Sequence, residues 1–294
     1  MKTAFILAGG GSLGAIQVGM LQALVEYGVE ADVVIGSSVG AINAARFAQE
    51  PDCHGVEMLA AIWSNIRRSD VFRVAPIASL MRLAGYGHDG IIDPSGLRRL
   101  LERHLSLGNL EDAKIQCAVV ASDLFSGEMV LLDRGPAIQA ILASAAIPGV
   151  FPPVEINGRR LIDGGVAANT PVAVAQSFGA ERIVVLPTGK ACAPKQIPTG
   201  PLGVTLQAIN HLINAQLIQD VERLRHEVCI SLVPPACHIS VNVHDFSRTR
   251  EMIDDARAST LSWLEAGGVD RCEIPEGLVV PAGVSGALRR DLSI

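Results

Sequence analysis

No run of about 18 apolar residues occurs in the chain, so the sequence predicts no membrane-spanning helix. Positive charge is also scarce. The 24 Lys and Arg are outnumbered by 30 Asp and Glu, for a net charge of −6. A nucleic-acid binder needs a basic stripe to meet phosphates, so that class of partner is excluded. No Cys-x-x-C pair is present: the six cysteines stand apart at 53, 117, 192, 229, 237 and 272. In a chain of this length such scatter predicts reduced, mostly buried thiols in a cytoplasmic protein, not a disulfide framework or a zinc site. No metal-ligand spacing is found, and none of the chemistry below calls for a metal or cofactor. The first apolar stretch, residues 3–8, is too short for the core of an export signal and reads as a strand.

What the chain does have is apolar bulk. Hydrophobic residues make up 49% and charged residues only 18%, against a usual charged share of about 25%. General disorder is thereby excluded. A mean hydropathy of +0.35 is high and fits a large parallel-sheet core, an oligomer interface or an apolar substrate pocket. The 294 residues could make two domains at about 150 residues each. With no linker, repeat or low-complexity segment, one domain over residues 1–270 is expected. Residues 271–294, rich in Gly, Pro and charge, read as a mobile tail.

The spacing predicts a strand over 3–8, then a helix over 14–27 with Gly28 as its C-cap. Asp32–Ile35 predicts a second strand ending at Gly36, and the small residues over 39–48 a second helix. Strand, helix, strand, helix is the start of a doubly wound parallel fold. Residues 56–87 read as irregular. Asp93-Pro94 opens a helix to His104, strands follow over 115–121 and 128–132, and Pro136–Ala146 reads as helical. Asn157-Gly158 between two short apolar runs predicts a hairpin. Further strands fall at 182–186 and 229–233, with helices at 202–224 and 246–265.

Two glycine motifs and one acid carry the chemistry. Gly9-Gly10-Gly11-Ser12-Leu13-Gly14 has the G-x-G-x-x-G form of a dinucleotide fingerprint, which predicts NAD(P) binding only with an acid closing the second strand. Here Asp32 precedes that strand and Gly36 ends it. The loop still offers N–H groups at a helix N-terminus, which stabilise any negative charge, an oxyanion included. Gly36-Ser37-Ser38-Val39-Gly40 is G-x-S-x-G between strand and helix. It reads as a nucleophile elbow exposing Ser38, or as a tight turn with a capping serine. A conventional triad orders Ser, acid, His; His104, His211 and His226 fall on predicted helices among charged or amide residues and read as solvated surface, while His238 and His244 are late enough in the chain. Asp163-Gly164-Gly165 reads either as a turn or as a carboxylate able to take the Ser38 proton directly.

Taken in order, these pieces resemble the patatin-like phospholipase family, in a bacterial-type short form. The matching residues are Gly9–Gly14, Gly36–Gly40 and Asp163-Gly164-Gly165. Supporting matches are Ala121–Leu124 with Ser126–Glu128, Ala143–Pro148 with Phe151–Pro153, and Asn169–Val172. The resemblance spans residues 3–265. It implies a three-layer α/β/α sandwich around a mostly parallel sheet, and hydrolysis of lipid acyl esters. It implies Ser38 as nucleophile, Asp163 as proton acceptor, and the amides of Gly10, Gly11 and Ser12 as the oxyanion hole. The motif glycines are then Gly9, Gly14, Gly36, Gly40, Gly164 and Gly165. A lipid or ester substrate, at or near a membrane surface, is the implied partner, and a homo-oligomer is compatible with the apolar composition. Many members carry Arg or Lys where this chain has Leu13, so acyl-ester hydrolysis is the broader expectation. A non-catalytic member of the family and an NAD(P)-binding protein are the alternatives.

Overall fold

Eight strands form one mixed sheet, with helices packed on both faces, in a computed structural model of the chain. The structure describes residues 1–72, 90–188, 200–234 and 243–272, with side chains in the third stretch described from residue 211 onward. The strands are β1 (Thr3–Leu7), β2 (Val33–Ser37), β3 (Gln116–Asp123), β4 (Met129–Leu132), β5 (Val154–Ile156), β6 (Arg159–Asp163), β7 (Arg182–Leu186) and β8 (Cys229–Leu232). The order is β5-β6-β3-β2-β1-β7-β8, with β4 on β3. The centre is parallel, β3-β2-β1-β7-β8, and the hairpin strands are antiparallel additions at one end.

Central strands are apolar on both faces because both are covered. Phe5, Leu7, Val34, Val119, Val184 and Leu186 face one helical layer. It holds α1 (Gly14–Glu26), α2 (Val39–Gln49), α3 (Cys53–Asn65), α4 (Arg68–Val71), α5 (Ser95–His104), α6 (Ala137–Ser144) and α9 (Thr249–Glu265). Ala4, Ile6, Val33, Ile35, Val120, Ile183 and Val185 face the other. There lie α7 (Gly165–Ala168), the 3₁₀ segment Val172–Phe178 and α8 (Gly200–Leu224). The α/β/α sandwich is therefore the fold. Helix α1 is buried almost all round because α2, α3 and α9 flank it, which is why its sequence is apolar on every side.

Most predicted elements fall within a residue or two of their place. Gly28, at φ 82°, ends α1 as a left-handed cap. Asn157 and Gly158, at φ 51° and 74°, make the tight turn between β5 and β6. The segment read as irregular, 56–87, instead begins inside α3. Asp52 caps it by accepting from Gly55 N at 2.9 Å, and Val56, Leu59 and Trp63 are its buried stripe. Leu217, Val221 and Leu224 of α8 are buried against the sheet, so this half of the helix is core. Residues 73–87 lie outside the described residues, as does the tail beyond residue 272.

The cysteine reading is corrected. Cys229, opening β8, and Cys272, beyond α9, form a disulfide across 43 residues, with Cα atoms 5.2 Å apart. Packing of α9 against α1 returns the chain to the sheet edge, which spacing along the sequence cannot show. Cys117 is buried as expected, Cys53 is exposed, and Cys192 and Cys237 lie outside the described residues.

Candidate active site

Strand β3 assembles the site along one of its edges. Its residues 119–122 pair with β4, which occupies the far edge. Strands β2, on residues 116–120, and β6, on residues 121–123, must therefore share the near edge. Strand β2 runs parallel to β3 and β6 antiparallel, so their C-terminal ends meet head to head. Ser37 pairs with Val120 and Asp163 with Ala121, adjacent residues of β3. Ser38 and Asp163, 125 residues apart in sequence, are brought into contact: Ser38 Oγ donates to Asp163 Oδ2 at 2.6 Å.

Ser38 has φ 54° and ψ −121°, between the end of β2 and the start of α2. A non-glycine residue there is strained and is held by its surroundings. Ser144, at the end of α6, supplies the hold: Ser38 N donates to Ser144 Oγ at 2.9 Å, and Ser144 Oγ donates to Val120 O at 2.6 Å. The turn is also too crowded for side chains at its two glycines. A Cβ on Gly36 would strike the Gly40 backbone, and one on Gly40 the carbonyl of Leu7.

Asp163 is 7% exposed. Its Oδ1 accepts from Gly165 N at 2.8 Å. Ser122 anchors the same turn, donating from Oγ to Asp163 O at 2.8 Å and accepting from Ala167 N at 3.0 Å. Gly164 lies against Val120 O. Burial pushes the Asp163 carboxyl up to about 6, and the bonds from Ser38 and Gly165 pull partly the other way. The result is a carboxylate that is ionised at neutral pH yet basic enough to accept a proton.

The glycine loop follows β1, beside the same sheet edge. Gly9 N donates to Asn169 O at 3.0 Å, and Gly9 O accepts from Thr188 Oγ1 and Asn169 Nδ2. Beneath it, Gln17 Nε2 donates to Ala8 O at 2.8 Å and Leu186 O at 2.9 Å. Asn43 Nδ2 bonds Gln17 Oε1 at 2.9 Å and Gly14 O at 3.0 Å, and Trp63 Nε1 donates to Asn43 Oδ1 at 2.8 Å. This buried polar chain braces the loop. Among the described residues, the amides of Gly10 and Gly11 have no acceptor. Ser12 is different, and the sequence expectation is corrected for it: its N–H donates to Val243 O at 2.8 Å. Gly11, at φ 60°, turns the backbone so that the Ser12 amide meets that carbonyl. Leu13 packs on the first helical core.

Among the described residues no histidine bonds Ser38 or Asp163. His54, His211, His226 and His244 are exposed and His104 is half-buried, while His88 and His238 lie outside the described residues. Asp32 accepts from Thr3 N at 2.7 Å, at the opposite end of β1 from the glycine loop, and is out of place for a ribose. Sequence reasoning passed over Gln17, Asn43 and Thr188, and took Ser122 only as part of a supporting match. Gln17 carried a weak signal, as one of two amides in an otherwise apolar helix.

The family model described as patatin-like phospholipase matches residues 5–175. The chain belongs to that family. A patatin-like phospholipase domain-containing protein of Caenorhabditis elegans, ZK370.4, is 32% identical over 190 residues, covering 63% of this chain and 13% of the relative. Lysophospholipase NTE1 of Candida albicans is 27% identical over 189 residues, with the same coverage of 63% and 13%. The chain thus spans about an eighth of the length of the curated relatives it matches. Among solved structures, VipD from Legionella pneumophila gives a TM-score of 0.49 at 15% identity, covering 90% of this chain and 67% of that one. Human GIVD cytosolic phospholipase A2 gives 0.46 at 12%, covering 92% and 58%.

Proposed function

We propose that the chain is a serine acyl-ester hydrolase acting on lipids, of phospholipase A, lysophospholipase or esterase type. The observation that carries this reading is the 2.6 Å bond from Ser38 Oγ to Asp163 Oδ2 at the converging ends of β2 and β6. Asp163 takes the hydroxyl proton as Oγ attacks the ester carbonyl, and its raised affinity for protons suits that role. The Gly10 and Gly11 amides receive the tetrahedral oxyanion. Removing one such donor typically costs about 2.7–4 kcal/mol of the barrier reduction. Protonated Asp163 then passes its proton to the leaving alcohol. The acyl-Ser38 ester is cleaved by water that gives its proton to the same carboxylate. Every step uses protein groups and water.

The family supports lipid esters as the substrate class, as do relatives that include a named lysophospholipase. A homo-oligomeric state is part of the same reading, whereas the Cys229–Cys272 disulfide removes the thiol argument for a cytoplasmic location. The test is a fluorophosphonate probe mapped by mass spectrometry beside a panel of lipid esters. An adduct on Ser38, absent from Asp163→Asn, with turnover on the panel, is the expected result. A labelled residue other than Ser38 rejects the assignment, and a folded protein that neither labels nor turns over is the non-catalytic member.

A further inference from the structure

Exposed apolar side chains are not spread evenly. Of the ten large hydrophobic residues exposed among the described residues, Leu124, Phe125, Met129, Val166, Leu212 and Val243 lie on four segments around the dyad. The segments are tied to one another or to the site. The turn after β3 carries Leu124 and Phe125, and Met129 opens the returning β4. Ser122, just before that turn, holds both Asp163 O and Ala167 N, so the turn and α7, with Val166, are joined through the base's own backbone. Gln216 Nε2 donates to Ala167 O, and Leu212 sits one helical turn from Gln216 on α8. Val243 O covers the Ser12 amide of the glycine loop. Met1 and Tyr27, also exposed, sit towards the opposite, N-terminal ends of the central strands β1 and β2.

The β3–β4 turn is built to project. Strand β3 passes the end of β2 at Val120 and runs three residues further to Asp123, about 10 Å at 3.3 Å per residue. The turn is rigid: Asp123 Oδ1 accepts from Phe125 N at 2.9 Å and Ser126 N at 3.0 Å. Arg159 Nε clamps Asp123 Oδ2 at 2.7 Å. Phe125 is held outward, 81% exposed, at a place where a free loop would fold it back. The charges of the hairpin are internally matched, since Asp123 and Glu128 both pair with Arg159. The chain as a whole is negative. Among the described residues the rim is therefore apolar without a cationic patch.

We infer that this rim, led by Phe125, docks the protein onto an uncharged or zwitterionic lipid surface, with the dyad facing the interface. The inference rests on the lipid-hydrolase reading for its choice of occupant. Phe125, Leu124 and Met129 enter the headgroup–acyl boundary first, and Val166, Leu212 and Val243 close around the mouth of the site. Docking is driven by apolar burial, so it is insensitive to salt, unlike attraction to anionic lipids.

The test uses Ser38→Ala protein, so that vesicles are not consumed, in sedimentation with phosphatidylcholine vesicles. Ser38→Ala is expected to co-sediment, and Ser38→Ala with Phe125→Asp to do so about ten-fold more weakly, equally at about 0.1 and about 1 M salt. In the active background, Phe125→Asp and Phe125→Ser lower turnover of vesicle-borne ester about ten-fold and leave a soluble short-chain ester within about two-fold. Equal sedimentation of the two Ser38→Ala proteins overturns the proposal. So does release by salt, or a Phe125-dependent dimer in size-exclusion chromatography, which would make a second copy the occupant. If the wild-type protein cleaves neither ester, the hydrolase reading fails while the sedimentation result still decides the docking.

Discussion

Replacing Asp163 with Asn separates the catalytic and structural consequences of burying that carboxyl. The folded-state value is about 6, against about 3.9 for an unfolded aspartate. A raised value means that the fold binds the proton more tightly than the unfolded chain does. The contribution to stability is present below about pH 4 and is lost as pH rises through about 6. Two units at about 1.36 kcal/mol each put the cost at about 3 kcal/mol by pH 7.5. Asparagine carries no charge and escapes it. Its oxygen can still accept from Gly165 N, and its amide can donate to Ser38 Oγ, though weaker neutral bonds return about 1 kcal/mol of the gain. Asp163→Asn should thus be more stable than the wild-type protein by about 2 kcal/mol at pH 7.5, a rise in Tm of about 3 °C for a chain of this length. At pH 4 the advantage should vanish. Turnover of a soluble ester should fall by about 10²–10⁴-fold, since an amide cannot take the Ser38 proton. The wild-type rate should rise along an acidic limb centred near 6. Thermal melts by circular dichroism at three pH values and a pH–rate profile make the test. A variant less stable than wild type at pH 7.5, or a stability difference independent of pH, would refute the desolvation argument, and retained turnover would remove Asp163 as the base.

Ser38→Ala should abolish ester turnover and fluorophosphonate labelling while leaving the circular dichroism spectrum intact; residual wild-type turnover would reject the nucleophile. Ser144→Ala strands the buried Ser38 N and Val120 O, so stability should fall by about 2–6 kcal/mol at about 1–3 kcal/mol per group, read by urea unfolding, with lower turnover as the elbow relaxes. His238→Ala and His244→Ala should each retain turnover, and near-complete loss in either folded variant would put a Ser–Asp–His triad in place of the dyad. The Cys229–Cys272 link should appear as a single cross-linked peptide after alkylation without reductant. Cys229→Ser should lower stability by about 2–4 kcal/mol, as expected for opening a loop of this length, and no effect on the melting curve would show the link to be absent in solution.

The sequence by itself determined the elements and the chemistry-bearing turns, because both are local. Val18, Leu21 and Leu24 recur at helical spacing whatever lies around them, Asn157-Gly158 specifies its own turn, and G-x-S-x-G between an apolar run and small residues specifies an elbow at Ser38. Of the helices it missed, which include the single-turn α4 and α7, α3 had its stripe in Val56, Leu59 and Trp63 and its cap in Asp52. The tertiary structure decided what touches what. Whether Asp163 was a turn residue or a partner for Ser38 depended on two strands of opposite direction sharing one edge of β3. That is a matter of register over 125 residues and leaves no periodic trace in the chain. Burial of the same carboxyl, and so its affinity for protons, came from packing. So did the loss of the Ser12 amide to Val243, the bracing of the elbow by Ser144, and the meeting of Cys229 with Cys272. Each is a contact between segments far apart in sequence, and only the path of the folded backbone specifies such contacts.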